Sequence, residues 1–234
     1  MSDTNNNSEL QQKLDLLKQG NNKDKNYNAW KAILGAAPAG SLFVHFYETY
    51  IKEPSSQRLH DFLEELVKEL LNLKKQIDTV SFDNPTFQTT FKKAIRIADC
   101  EHQQEKFESL RNAVLNSAIP NSFEDDIQAI FLRWIDEFTV SHIRLLRMLH
   151  YIDNYNEEKI VADFPDLEEN RSFYNQILLE LNAKGAIKLS ETYQVVEPVA
   201  KKIIEDIDRI IRAKKSRTTE LGKQFIQFIE NPLV

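Results

Sequence analysis

One cysteine, Cys100, leaves this chain of 234 residues without an internal disulfide. Five glycines and seven prolines are too few to punctuate a chain built of many turn-linked strands, so an all-β fold is not expected. No uninterrupted apolar run reaches about 18 residues, which excludes a conventional transmembrane helix from the expectation. The opening Met1-Ser2-Asp3-Thr4-Asn5-Asn6-Asn7 lacks the basic and apolar regions of a secretion signal, and with a single cysteine the expected location is the cytoplasm. Also missing are a Gly-rich phosphate loop, a dinucleotide fingerprint, Gly-x-Ser-x-Gly, His-Glu-x-x-His and any pair of cysteines. No catalytic residue, no metal-ligand set and no cofactor is therefore expected, and an enzyme is the least supported class.

What is present is ordinary for a folded protein: 41% hydrophobic and 28% charged residues, with a net charge of −6 that argues against a surface coating nucleic acid or anionic membrane. The long stretches are rich in Leu, Ile, Glu, Lys and Gln, which favour helix. Residues 1–28 read as a polar N-terminal arm. The segment 29–50 is the most apolar, with Trp30, Leu34, Leu42, Phe43 and Phe46 broken by Gly35, Pro38 and Gly40. Its expected fate is burial in a helical bundle; the competing reading is a membrane or partner contact through those five residues.

A helix is expected from Ser55 to about Ile77, with Leu59, Phe62, Leu63, Leu66, Leu70 and Leu73 on its inner face. Asn84-Pro85 supplies a cap and a proline at the first helical position, opening a helix through Phe87, Phe91, Ala94, Ile95 and Ala98. The next runs from about Glu101 to Ala118, with Phe107, Leu110, Val114 and Leu115 inward. Ser122, followed by Glu124, Asp125 and Asp126, starts another whose inner face is Ile127, Ile130, Phe131, Trp134, Ile135 and Phe138. These make a bundle over 29–138.

From Thr139 the pattern changes. A helix through Ile143, Leu146 and Leu149 precedes a short one near Glu157–Phe164 and a third from about Leu167 to Lys184, carrying Phe173, Ile177, Leu178 and Leu181. Gly185 stops it as a left-handed residue would. Ala186–Leu189 and Tyr193–Val196 read as two short strands around a turn. Three helices and then a hairpin is the order of a winged-helix domain, placed at 139–234. Pro198 opens a further helix through Ile203, Ile204, Ile207, Ile210 and Ile211, and Thr218-Thr219-Glu220 caps a last one ending near Ile229. The fold expected is mainly α: an N-terminal helical bundle and a winged-helix-like domain with one small β-hairpin.

Lys106-Phe107, Leu110-Arg111-Asn112-Ala113-Val114-Leu115, Trp134-Ile135-Asp136-Glu137-Phe138-Thr139 and His142-Ile143-Arg144-Leu145-Leu146 resemble uncharacterised bacterial helical proteins related to the abortive-infection alpha-type family. Leu181-Asn182-Ala183-Lys184-Gly185-Ala186-Ile187 and Thr219-Glu220-Leu221-Gly222-Lys223-Gln224-Phe225 are similar to the same proteins. The resemblance implies a helical region leading into a winged-helix-like C-terminal part, with an association to phage defence, and it carries no catalytic motif to transfer.

Isolated chemistry has plain explanations. His45, His60, His102, His142 and His150 are scattered. Cys100 and His102, two apart, would point to different helix faces, and His60-Asp61 lacks the further ligands of a metal-dependent phosphohydrolase. DNA binding would use the third helix of a winged helix, but here it begins Asp166-Leu167-Glu168-Glu169-Asn170-Arg171, acidic where phosphate contacts need cations. One basic cluster, Arg209, Arg212, Lys214, Lys215 and Arg217, suits either a helix C-terminus or a nucleic-acid or partner contact. The expected function is a non-enzymatic interaction role with a protein partner; a DNA-binding regulator and a membrane-active effector through 29–50 are the alternatives.

Overall fold

The computed structural model of the protein describes Val44 and residues 57–167, 169–189 and 216–233. Trp30, Leu34, Leu42, Phe43 and Phe46 lie outside the described residues, as do Arg209, Arg212, Lys214 and Lys215, the strand expected at Tyr193–Val196 and the helix expected after Pro198. The described part is mainly helical, with eight α-helices. None of them is long and apolar enough to cross a membrane. Two compact units divide the chain inside the fourth helix, one Met1–Leu132 with Asn231–Val234 and the other Arg133–Glu230.

In the first unit, α1 (Gln57–Gln76), α2 (Pro85–Asp99) and α3 (Gln104–Ser117) pack on one another, and α4 (Asp125–Glu137) follows. The inner faces are those the spacing dictates. Leu59, Phe62, Leu63, Leu66, Leu70 and Leu73 of α1 are buried, and Val67 joins them. Phe87, Phe91, Ala94, Ile95 and Ala98 of α2 are buried as well. Full burial of each large side chain contributes about 1.5–3 kcal/mol, so these faces hold the helices together. Asn84 caps α2 by accepting the Thr86 amide at 2.8 Å, with Pro85 in the first turn where its missing N–H costs nothing.

α3 departs from simple amphipathy. Besides Phe107, Leu110, Val114 and Leu115 it buries Lys106, Ser109, Arg111, Asn116 and Ser117. Ser109 and Ser117 return their hydroxyls to the carbonyls of Glu105 and Val114 at 2.9 and 2.7 Å. Arg111 reaches α1, where Glu65 lies 2.7 Å and Glu69 3.2 Å away. Lys106 pairs with Glu101 at 2.9 Å. Two of the six inner-face residues expected of α4, Ile127 and Ile130, are only half-buried, and Phe131 is fully buried.

In the second unit α5 (Val140–His150) packs against α7 (Arg171–Ala183) and α8 (Glu220–Phe228), with the short α6 (Glu157–Asp163) between α5 and α7 in the chain. Ile143, Leu146 and Leu149 of α5 are buried. Trp134, Phe138 and Phe225 form an aromatic core: Phe225 meets Trp134 edge-on at 5.2 Å and Phe138 at 5.8 Å.

Helix α7 ends in a Schellman motif. The amide of Ala186 bonds the Leu181 carbonyl at 2.9 Å, that of Gly185 bonds Asn182 at 3.0 Å, and Gly185 takes φ +77°, where a side chain is strained. The chain then forms one antiparallel bridge, Ile187 to Thr218. Lys188 donates to the Arg217 carbonyl at 2.9 Å and Thr219 to that of Ala186 at 3.0 Å. Among the described residues 186–188 therefore pairs with 217–219. Thr219 caps α8, its hydroxyl accepting the Gly222 amide at 3.0 Å and donating to the Gly185 carbonyl.

Helix α7 turns one of its expected apolar residues outward. Phe173, carried on the expected helix with Ile177, Leu178 and Leu181, is 44% exposed. Tyr174 is buried instead, because its ring lies edge-on to Phe164 at 5.8 Å and its hydroxyl donates to Asp166 at 2.7 Å. The helix also starts at Arg171, four residues later than expected, since 165–167 and 169–170 form turns.

Candidate functional site

Of the residues singled out as possible contacts, the structure describes Arg217 alone. It is half-buried, at the bridge, with its carbonyl engaged by Lys188. The sites the structure does assemble are of other kinds, and each is built from helix ends or helix faces.

The first is polar and belongs to the first unit. The starts of α2 and α4 border two adjoining clefts of about 140 and 400 Å³ that share Thr86, Asp125 and Gln128. Thr90 and Gln128 are buried beside them. Several of their polar groups already serve one another: Thr86 donates to Asp125 at 2.6 Å, Thr90 to Gln128 at 3.4 Å, and the Gln128 amide to the Phe123 carbonyl at 3.0 Å. Asp125 and Asp126 in the first turn of α4 balance its dipole, so the region offers neither a strong anion nor a strong cation site.

On α1, His60, Asp61 and Glu64 bring their donor atoms within 4.8 Å of one another. They come from one helical turn, Asp61 is exposed, and Glu64 is held by Lys68. Cys100 and His102, which sequence spacing separates, are both exposed at the end of α2 and just beyond it.

In the second unit His142 sits at the centre of a line of hydrogen bonds. Its Nδ1 lies 2.8 Å from the Thr139 hydroxyl and accepts the Thr139 amide at 3.2 Å. Its Nε2 lies 2.9 Å from Glu180 of α7. Phe138 stacks on the ring at 5.1 Å with the planes 2° apart. Burial holds the imidazole pKa below its usual value, against the opposing pull of Glu180. A hydroxyl, an imidazole and a carboxylate in line resemble a nucleophile relay. Here Thr139 and His142 are also the N-cap and third residue of α5, a capping box with His in place of Glu or Gln, which accounts for the arrangement. Nothing in the sequence marked it, because the familiar box pattern requires Glu or Gln.

A second polar group closes the far end of α5. His150 Nδ1 lies 3.1 Å from the Thr218 hydroxyl, and Tyr151 donates to both oxygens of Glu230 at 2.9 and 2.8 Å. Burial, together with Glu230, pushes the Tyr151 phenol up to about 12.

The remaining feature is the outer face of α7. Ser172, Phe173, Gln176, Leu179, Glu180 and Ala183 are exposed, Phe173 at 44% and Leu179 at 39%. They fall within about a third of the helix circumference, given 100° per residue. Val161 of α6 is 66% exposed. No family description, no curated protein and no solved structure matches the chain.

Proposed function

We propose that the protein is a non-enzymatic interaction protein whose second unit binds another protein through the outer face of α7. The observation that carries this reading is the exposure of Phe173 and Leu179 on one helix face. An aromatic and a leucine turned to water forgo the stabilisation their burial would bring, and such side chains supply the anchors of protein interfaces. The described side chains around them are Ser172, Gln176, Glu180 and Ala183, with no cation among them. Lys184, a cation at the end of the helix, is already paired with Glu137, which leaves a duplex phosphate backbone little to neutralise it there. An apolar partner surface rimmed by Lys or Arg opposite Glu180 would be complementary.

The order of α5, α6 and α7, followed by the pairing of 186–188 with 217–219, supports a winged-helix-like reading of the second unit, with α7 as the third helix. Helix α7 then takes the place of a recognition helix while carrying protein-binding chemistry. The mutual satisfaction of the cleft residues and the capping role of Thr139 and His142 support the absence of catalysis from the proposal. The resemblance to abortive-infection proteins adds phage defence as the setting in which to seek the partner.

The test compares the wild-type chain with Phe173→Ser/Leu179→Ser in affinity capture from infected and uninfected cells. The double variant is expected to keep its helical circular dichroism and melting temperature and to lose a protein that the wild type retains. Equal capture by both chains, or sub-micromolar sequence-selective DNA binding that survives the double substitution, would overturn the reading.

A further inference from the structure

We infer that His142 is a proton-operated clasp at the start of α5: neutral, it holds both the Thr139 amide and Glu180 of α7; protonated, it releases the first and keeps the second. The geometry fixes the tautomer. Nδ1 accepts the Thr139 N–H at 3.2 Å, so it carries no proton, and the ring proton sits on Nε2 and is donated to Glu180 Oε2 at 2.9 Å. The two nitrogens thus do different work: one caps a helix, the other holds a neighbouring helix.

A second proton can enter only at Nδ1. It converts the acceptor into a donor facing the Thr139 N–H, and that half of the capping box is lost. The Thr139 hydroxyl can turn to accept the new proton, but the Thr139 amide keeps no partner from the ring. The Nε2–H bond to Glu180 persists and becomes an ion pair. Protonation therefore opens one side of the clasp and tightens the other.

The surroundings set the direction. Phe138 covers one ring face and itself packs on Phe225 of α8. From α7 Glu180 is the charged group acting on the ring, with Gln176 donating to its other oxygen at 2.7 Å and Lys184 nearby, paired with Glu137 of α4. Burial outweighs Glu180, so the folded imidazole protonates at lower pH than the unfolded one. A histidine of depressed pKa lends stability that is full above its unfolded value of about 6.5 and is lost as pH falls from there through the folded value.

The experiment follows the His142 ring carbon–proton resonance and the Thr139 amide of the full chain by NMR from pH 8 to pH 5. The expected result is one shared midpoint below 6.5 for both signals. His142→Gln, which restores the usual box residue and cannot titrate in this range, should leave the Thr139 amide flat. Glu180→Gln removes the charge that favours the imidazolium and should move the shared midpoint to lower pH. A His142 midpoint above 6.5, a Thr139 amide that stays still while His142 titrates, or a wild-type response in His142→Gln would each overturn the clasp. Should His142→Gln not fold, the co-titration in the wild type and the shift in Glu180→Gln decide the matter.

Discussion

The first unit buries charge and the second buries helix ends. In the first, Lys106 and Arg111 of α3 are almost completely covered and are neutralised by carboxylates, Glu101, Glu65 and Glu69, two of them from α1. In the second, the closest-fitted groups are backbone: the Schellman turn at Gly185, the Gly222 amide and Gly185 carbonyl that the Thr219 hydroxyl links, and a meeting of Gly222 with Ala186 so tight that a Cβ on Gly222 would overlap the Ala186 carbonyl. Side-chain pairs have rotamers with which to adjust, and Glu65 and Glu69 keep part of their surface in water. A backbone-to-backbone contact has no such freedom. The second unit should therefore be the more sensitive to single atoms, and the first the more tolerant of losing whole charges.

The sharpest way to break this contrast is Gly222→Ala. One methyl group must displace the chain at Ala186, and with it the bridge of Ile187 to Thr218. Overpacking of this kind costs about 3 kcal/mol, to be read as a loss of chemical-denaturation midpoint; a shift below about 0.5 kcal/mol would remove the premise that this contact is rigid. Thr219→Ala deletes the cap on Gly222 and the bond to Gly185 without adding bulk, and is expected to cost about 1–2 kcal/mol by the same measurement.

Arg111→Met should cost less than that, about 1 kcal/mol, because Glu65 and Glu69 can turn to solvent once the guanidinium is gone. A loss of 3 kcal/mol or more would place the first unit in the rigid class too. Acid sharpens the same comparison. Burial holds the Glu69 carboxyl above its usual value despite Arg111, so its contribution to stability is present below the unfolded pKa and is lost as pH rises through the folded one. That sign is opposite to the sign for His142. As pH falls towards 4.5 Glu69→Gln should therefore flatten a gain, and as pH falls below 6.5 His142→Gln should flatten a loss, measurable as the change in unfolding free energy of each variant against pH. The smallest effect expected is that of Phe173→Ser, about 0.5 kcal/mol, since the side chain is exposed and what the variant gives up is the edge-on contact of its ring with Tyr174 at 5.2 Å.

Where an interaction is local in sequence, the fold could be read ahead of the structure. Asn84-Pro85, Gly185 and Thr219 each announce a helix end by residue type alone, and the inner faces of α1 and α2 follow from three- and four-residue spacing. What could not be read depends on distant parts of the chain. Arg111 finds Glu69 across 42 positions, and Ile187 finds Thr218 across a gap no hairpin pattern suggests. Phe173 and Tyr174 are adjacent, but it is Tyr174 that completes the three-, four- and seven-residue spacing with Ile177, Leu178 and Leu181, and its hydroxyl bond to Asp166 reinforces that placement. Ser122, expected to begin α4, instead donates to the Asn116 carbonyl at 2.7 Å while the helix starts at Asp125. The capping box at Thr139 has no familiar sequence signature because a histidine, His142, fills its third position. Of the proposed contact residues, the sequence offered charge and apolarity, which mark candidates but say nothing of exposure.

The most direct test of the proposed role of α7 is site-specific photocrosslinking in living cells, with a photoreactive phenylalanine analogue at position 173 and, for comparison, at exposed Lys188. A discrete protein adduct from position 173, weaker from 188 and abolished by Leu179→Glu, is the result expected of a docking face centred on α7. Adducts of equal yield from both positions, or an adduct at 173 indifferent to Leu179→Glu, would contradict it.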